Sequence, residues 1–260
     1  MFPPKSLLPL PLLFLLTSAS TPQNYTCPHH LYTIHTLSHS PLILYIPSFL
    51  TPSEAAHLQS VSASQFQSSQ IADQSGKQQQ ALTRTSKSTS LATDPVIRCI
   101  EERALAFQGY DVRREQLEPL QLVQYGEGQN YRPHTDWFTS ASQTTAEYGG
   151  NRISSFFVYV AVSDNIIGGG TQFPLLDAPR DERWCAIIDC DKSWEEGVTF
   201  RPVQGNAVFW RNMNEGREGK LEGDAQTLHA GLPVLRGSKL GMNIWTRERD
   251  LDGKYRSDGI

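Results

Sequence analysis

The spacing of apolar positions divides the chain into an N-terminal part with helical signals and a longer C-terminal part of short strands. In "PVIRCIEERALAF" the residues Val96, Ile97, Ile100, Ala104, Leu105 and Phe107 recur at helical spacing, with Pro95 in the first turn and Gly109 past the end. Upstream, "PLILYIPSFL" is a β-prone apolar run. It leads into "TPSEAAHLQSV", where Thr51 and Glu54 have the spacing of a capping box that opens a helix. Residues 60–90 are rich in Ser and Gln around "SGKQQQ" and predict a long solvated loop. Beyond Gly109 the period shortens. "LEPLQLVQYGEGQNYRPHTDWF", "RISSFFVYVAV", "WCAIIDC", "GVTFRPVQGNAVFW" and "KLGMNIWTRE" are β-branched and aromatic runs separated by turn residues. The pattern predicts a mainly β (α+β) fold, an antiparallel sandwich or jelly roll preceded by helices.

Composition narrows this reading. At 260 residues the chain is long enough for one sizeable core, and a formal charge of -4 lacks the basic excess of a nucleic-acid binder. At the N-terminus Lys5 precedes the apolar run "SLLPLPLLFLL", and Ser18 and Ser20 supply small residues for cleavage. Residues 1–20 therefore read as a signal peptide or an N-terminal anchor, and membrane contact is expected only in the second case. Residues 21–40 form a polar segment, and Asn24-Tyr25-Thr26 is an N-glycosylation acceptor. Cys27, Cys99, Cys185 and Cys190 allow two disulfides in three connectivities, Cys185 and Cys190 being close enough to bridge. These features predict the endoplasmic reticulum lumen or the secretory pathway, with secretion beyond it as the alternative.

The candidate chemistry starts from "YRPHTDWF". Side chains alternate along a strand, so His134 and Asp136 would share a face, although a surface His beside a surface Asp gives the same pattern. Five of the seven histidines, His29, His30, His35, His39 and His57, lie in the N-terminal stretch or on the capped helix and read as solvated or structural. That leaves His134 and His229 in the strand-rich part. Two His and one carboxylate with open positions form the facial triad of non-haem Fe(II) oxygenases. Ten residues past His229, Lys239 stands alone in an apolar strand. A buried cation there needs an anionic partner such as a ligand carboxylate, whereas an outward-facing Lys would simply snorkel.

The segments "LVQYGEGQNYRPHTDWF", "GGNRISSFFVYVAVSD", "GGGTQFP", "VQGNAVFW" and "TLHAGLPVLRGSKLGMNIWTRE" together resemble the catalytic domain of prolyl 4-hydroxylases, which are 2-oxoglutarate and Fe(II)-dependent dioxygenases. The resemblance covers residues 41–248, leaving 249–260 as a polar tail. It implies a double-stranded β-helix (jelly roll) core flanked by N-terminal helices. It further implies that His134, Asp136 and His229 are the catalytic iron ligands, and that Lys239 meets the distal carboxylate of 2-oxoglutarate. Tyr125, Thr171 and Trp245 would line the cosubstrate pocket, and Arg152 and Glu118 would contact a peptide. The implied reaction hydroxylates peptidyl proline to 4-hydroxyproline while 2-oxoglutarate and O2 give succinate and CO2, with ascorbate keeping iron reduced. The implied partner is a proline-containing peptide or protein. A same-fold oxygenase acting on a small molecule or another side chain, and a non-enzymatic secreted jelly-roll binder, are the alternatives. Trp137 after Asp136, the Ser/Gln-rich stretch at 60–80 and the charged segment between Trp210 and His229 depart from the family pattern.

Overall fold

The computed structural model describes residues 25–72, 78–79, 83–216 and 219–256. The expected signal segment and Asn24 lie outside these residues. Two antiparallel sheets face each other. The larger has eight strands in the order His35–His39, Leu42–Ile46, Ala207–Arg211, Arg152–Val162, Lys239–Arg247, Gln121–Tyr125, Lys87–Ser90, Gln67–Ser68. The smaller has four, in the order Val198–Phe200, Thr171–Phe173, His229–Gly231, Tyr131–His134. This is the expected mainly β jelly-roll arrangement.

The central strand Arg152–Val162 shows why the layers form. Its neighbours on both sides are strands, and both faces are covered, which its near-continuous apolar run requires. Phe156, Val158 and Val160 point to one core with Phe209, Met242 and Ile244. Phe157 and Tyr159 point the other way, into a second core with Phe173, Phe200 and Trp210 between the sheets. Helices α1 (Pro52–Ser62) and α2 (Pro95–Gln108) cover the first face with Leu58, Ile97, Ile100 and Ala104.

Both helices start as their sequences predict. The Thr51 hydroxyl accepts from the Glu54 amide at 3.2 Å, and the Glu54 carboxylate accepts from the Thr51 amide at 2.9 Å. Asp94 caps α2 through the Ile97 amide at 2.8 Å. The Glu54 carboxylate also pairs with Arg103 of α2 through two hydrogen bonds of 2.6 and 2.8 Å, so one residue caps α1 and ties it to α2.

Two expectations change. The stretch 60–90 is not one loop: Gln67–Ser68 and Lys87–Ser90 extend the large sheet, and Ile71–Ala72 pairs with Gln78–Gln79. Polar residues suffice at a sheet edge because backbone pairing, rather than core burial, holds the strand. Buried Ser69 and Ser86 satisfy each other at 3.0 Å. "WCAIIDC" is not a strand either. Asp181 caps a short 3-10 helix, Glu182–Ala186, and the Cys185–Cys190 bridge closes the turn after it. His57, read as solvated or structural, takes the structural role: its Nε2 lies 2.6 Å from Asp94 Oδ2.

Candidate active site

The site lies between the sheets, where their register brings distant segments together. His229 and His134 are direct cross-strand partners in the small sheet, with ring centroids 4.3 Å apart. The strand ends at His134. Asp136 therefore reaches the same centre from the bend beyond the strand and not by strand alternation, which corrects the sequence argument. Asp136 Oδ1 lies 3.9 Å from His134 Nε2, and Oδ2 lies 3.9 Å from His229 Nε2. The three ligand atoms all fall within 4.8 Å of one another, and no other such cluster occurs among the described residues.

The surroundings prepare these groups for a cation. His134 Nδ1 lies 2.8 Å from the Arg132 carbonyl and His229 Nδ1 lies 2.9 Å from the Thr227 carbonyl. A carbonyl can only accept, so each Nδ1 carries a proton and each Nε2 is the ring atom left for a metal. Burial, then the neighbouring His229, pushes His134 down to about 3, against the pull of Asp136; its imidazole is neutral at physiological pH. Burial acts to raise Asp136, but His229, His134, Arg152 and the Ser155 hydrogen bond outweigh it and bring the carboxyl down to about 2. Asp136 Oδ2 accepts from Ser155 Oγ at 2.6 Å and from Trp245 Nε1 at 2.9 Å. Two imidazoles and a fixed carboxylate with open positions suit Fe(II).

A cationic pocket adjoins the cluster. Lys239 and Tyr125 are partners in the large sheet, with Lys239 Nζ 4.6 Å from the Tyr125 ring centroid. Lys239 is only 2% exposed, and its Nζ donates to the Gly169 carbonyl. Burial alone brings it down to about 7. Tyr125 is pushed up to about 12 by burial, partly offset by Arg84 and Ser86, and stays a phenol. The Thr171 hydroxyl is 2.7 Å from Tyr159 Oη, and the strand of Thr171 pairs with the strand of His229. Tyr125 Oη also lies close to Gly231 of that strand.

Trp245 reaches the site through Asp136. Its ring lies 3.7 Å from the Arg152 guanidinium, and Arg152 holds Glu118 through bonds of 2.7 and 2.8 Å. Arg247 donates to the same Glu118 at 2.5 Å. Arg152 and Glu118 are thus mostly covered and paired with each other. Burial would raise Glu118, but the two arginines hold it below the usual carboxylate range.

Sequence reading missed Ser155, Asn212, Tyr159 and Tyr131, whose ring stacks on His134 at 3.5 Å. A signal existed for Ser155: it lies on the face of Phe157 and Tyr159, where a hydroxyl needs a polar partner.

The fold and this donor set define the class of 2-oxoglutarate-dependent oxygenases, and the 2OG-Fe(II) oxygenase superfamily model matches residues 120–247. Among related proteins, Prolyl 4-hydroxylase 1 of Arabidopsis thaliana is 30% identical over 218 residues, which span 82% of this chain and 71% of the relative. Prolyl 4-hydroxylase subunit alpha-3 of Homo sapiens is 34% identical over 211 residues, 80% of this chain but 34% of the relative. In structure, the viral collagen prolyl hydroxylase of Paramecium Bursaria Chlorella virus-1, solved as a 2OG complex, shares the fold. It has a TM-score of 0.53 and 22% identity over 78% of this chain and 94% of that one. A prolyl hydroxylase from Trichoplax adhaerens, solved with a hypoxia inducible factor peptide fragment, gives a TM-score of 0.52 at 14% identity, covering 84% of this chain and 87% of that one. The chain belongs to the prolyl 4-hydroxylase family of 2-oxoglutarate and Fe(II)-dependent dioxygenases, enzymes that use Fe(II), 2-oxoglutarate and O2. Among the described residues no helix is long and apolar enough to cross a membrane.

Proposed function

We propose that this chain hydroxylates proline in peptides to 4-hydroxyproline while converting 2-oxoglutarate and O2 to succinate and CO2. The observation that carries this reading is the convergence of three ligand atoms within 4.8 Å, beside a buried lysine whose charge no acidic side chain among the described residues balances. Nε2 of His134, Nε2 of His229 and the Asp136 carboxylate hold Fe(II). When bound, the iron supplies the activation of O2 needed to hydroxylate an unactivated C–H bond. Lys239 takes the distal carboxylate of 2-oxoglutarate, whose charge restores the partner that burial has removed. Tyr125 and Thr171 line that pocket. Trp245 fixes Asp136 from the side, and the Glu118–Arg152 pair stands next to it on the side assigned to the peptide. The sheets keep bulk water from Lys239, Tyr125 and Thr171. Ascorbate keeps the iron reduced between turnovers.

The proline assignment draws on the names of the relatives, and the cellular assignment on the cysteines. The disulfides Cys27–Cys99 and Cys185–Cys190, with no free cysteine among the described residues, fit an oxidising compartment and favour the endoplasmic reticulum lumen. Mass spectrometry of proline-rich peptides after reaction with Fe(II), 2-oxoglutarate and ascorbate is the test. The expected result is one added oxygen on proline, matched by succinate and abolished by His134→Ala. If no proline peptide stimulates 2-oxoglutarate turnover, the substrate reading fails. An undiminished rate in His134→Ala removes the metal assignment.

A further inference from the structure

Two departures from the family pattern touch each other. The charged segment after Trp210 folds back as a two-stranded ladder, Met213–Glu215 with Leu221–Gly223. Gly223 faces the indole of Trp137, the residue that follows Asp136. A Cβ at Gly223 would lie 2.3 Å from Trp137 Cδ2 and 2.4 Å from Cε3, so only glycine leaves room for the ring. Trp137 Nε1 donates to the Asp224 carbonyl at 3.1 Å.

The bonds from Asp224 run back to both sides of the metal cluster. The Asp224 carbonyl also accepts from Thr227 Oγ1 at 2.7 Å, and the Thr227 carbonyl holds Nδ1 of His229. The Asp224 amide donates to the Asn212 carbonyl at 2.9 Å. Asn212 Nδ2 donates to Ser155 Oγ at 2.9 Å, and Ser155 Oγ donates to Asp136 Oδ2 at 2.6 Å. Asp136 is covalently followed by Trp137, which closes the ring. Asn212, Ser155 and Thr227 are fully buried, and Asp224 is 7% exposed. Buried hydrogen bonds of this kind strengthen one another and resist rearrangement.

We propose that Trp137 is a positioning residue: seated on Gly223 and bonded to Asp224, it braces the segment carrying Asp136 against the segment carrying His229. Besides this brace, the short pairing of His229–Gly231 with Tyr131–His134 sets the separation of those two segments from the side of the small sheet. The ladder at 213–223 thus supplies the partner for an aromatic residue at 137. This inference rests on the assignment of His134, Asp136 and His229 as metal ligands.

The test compares Mn(II) binding by titration calorimetry, in the absence of oxygenase turnover, for the wild type, Trp137→Phe, Gly223→Ala and His134→Ala. Thermal unfolding without metal is recorded for each. Trp137→Phe keeps an aromatic side chain but deletes the Nε1 donor together with the second ring of the indole, while Gly223→Ala keeps the whole indole and displaces it from the opposite side. Each is expected to weaken Mn(II) binding by about 10- to 100-fold, the usual effect of losing a group that orients a metal ligand. His134→Ala is expected to bind no Mn(II) at the site. Binding within about twofold of wild type in Trp137→Phe, on the scale of that same effect, overturns the brace while leaving the metal site standing. Wild type and His134→Ala binding alike overturns both. If Gly223→Ala does not fold, Trp137→Phe decides alone.

Discussion

Lys239 is a buried cation held well below its ordinary value by desolvation. Its ordinary value is 10.5, burial brings it to about 7, and the rings of Tyr125, Phe157 and Tyr159 together with the Gly169 carbonyl are its surroundings. A dicarboxylate that pairs with the ammonium favours its charged form. Cosubstrate binding above pH 7 therefore takes up a proton, so the Kd for 2-oxoglutarate should be flat below pH 7 and weaken by up to about tenfold per unit above it. Titration calorimetry in buffers of different ionisation enthalpy measures that uptake, and a Kd independent of pH across the range would contradict it. The stability sign is opposite. Between pH 7 and 10.5 the unfolded chain holds the lysine proton and the folded chain does not, so the unliganded fold gains stability as pH rises through that window. Lys239→Met should remove this slope, stabilise the unliganded protein by on the order of 2 kcal/mol and abolish 2-oxoglutarate retention. The position of Lys239 was legible, because a lone cation in an apolar strand is conspicuous. Asn212 was not, because a polar residue just past a strand has many bland explanations and its contact with Ser155 spans 57 residues.

Along the strand Lys239–Arg247, odd positions face the site and even positions face the helices. Leu240, Met242 and Ile244 lie in the helix-side core, whereas Lys239 and Trp245 meet the pocket and Asp136. That alternation was readable from "KLGMNIWTRE", as were the two helix starts, since period and capping chemistry are local. The Ser- and Gln-rich strands at the sheet edge were not readable, because Lys87–Ser90 is held by pairing with Gln121–Tyr125 some 35 residues away, and Gln67–Ser68 by pairing with Lys87–Ser90, and neither by its own apolar content. The ending of the strand at His134 was hidden for the same reason: nothing local distinguishes a ligand on a strand from one in the bend beyond it. Gly241 shows what the alternation demands. A Cβ there would lie 2.3 Å from Phe157 Cζ, and Phe157 packs 5.2 Å from Tyr159 and faces Lys239. Gly241→Ala should therefore lower stability by about 1–3 kcal/mol and weaken 2-oxoglutarate binding, because the displaced ring moves into the lysine pocket. Melting temperature and Kd measured together check this, and two unchanged values would mean that the strand absorbs the methyl without moving Phe157.

Of the two main cores, the one between the sheets packs on the site, with Trp210 4.6 Å from His229, while the other stands apart from the chemistry. This helix-side core, with α1, α2 and the Glu54–Arg103 pair, lies across the large sheet from the metal cluster. The Cys27–Cys99 bridge belongs to that remote side. It ties the N-terminal segment to α2 across 72 residues, and on the same side Tyr25 and Tyr32 pack against the core, Tyr32 meeting Phe49 and Phe107. Its connectivity was left open in the sequence, where three pairings were possible and only the closeness of Cys185 and Cys190 pointed to one of them, because the approach of residue 27 to α2 is a tertiary event. Opening so long a loop frees the unfolded chain, so the double substitution Cys27→Ser/Cys99→Ser should cost about 2–4 kcal/mol in urea unfolding. None of the ligand contacts involves this segment. The variant should then bind Mn(II) and 2-oxoglutarate within about twofold of wild type wherever it remains folded, as independent sites do. Loss of metal binding in a variant still folded by circular dichroism would mean that the remote bridge is transmitted through the large sheet to the strand that presents Ser155 to Asp136.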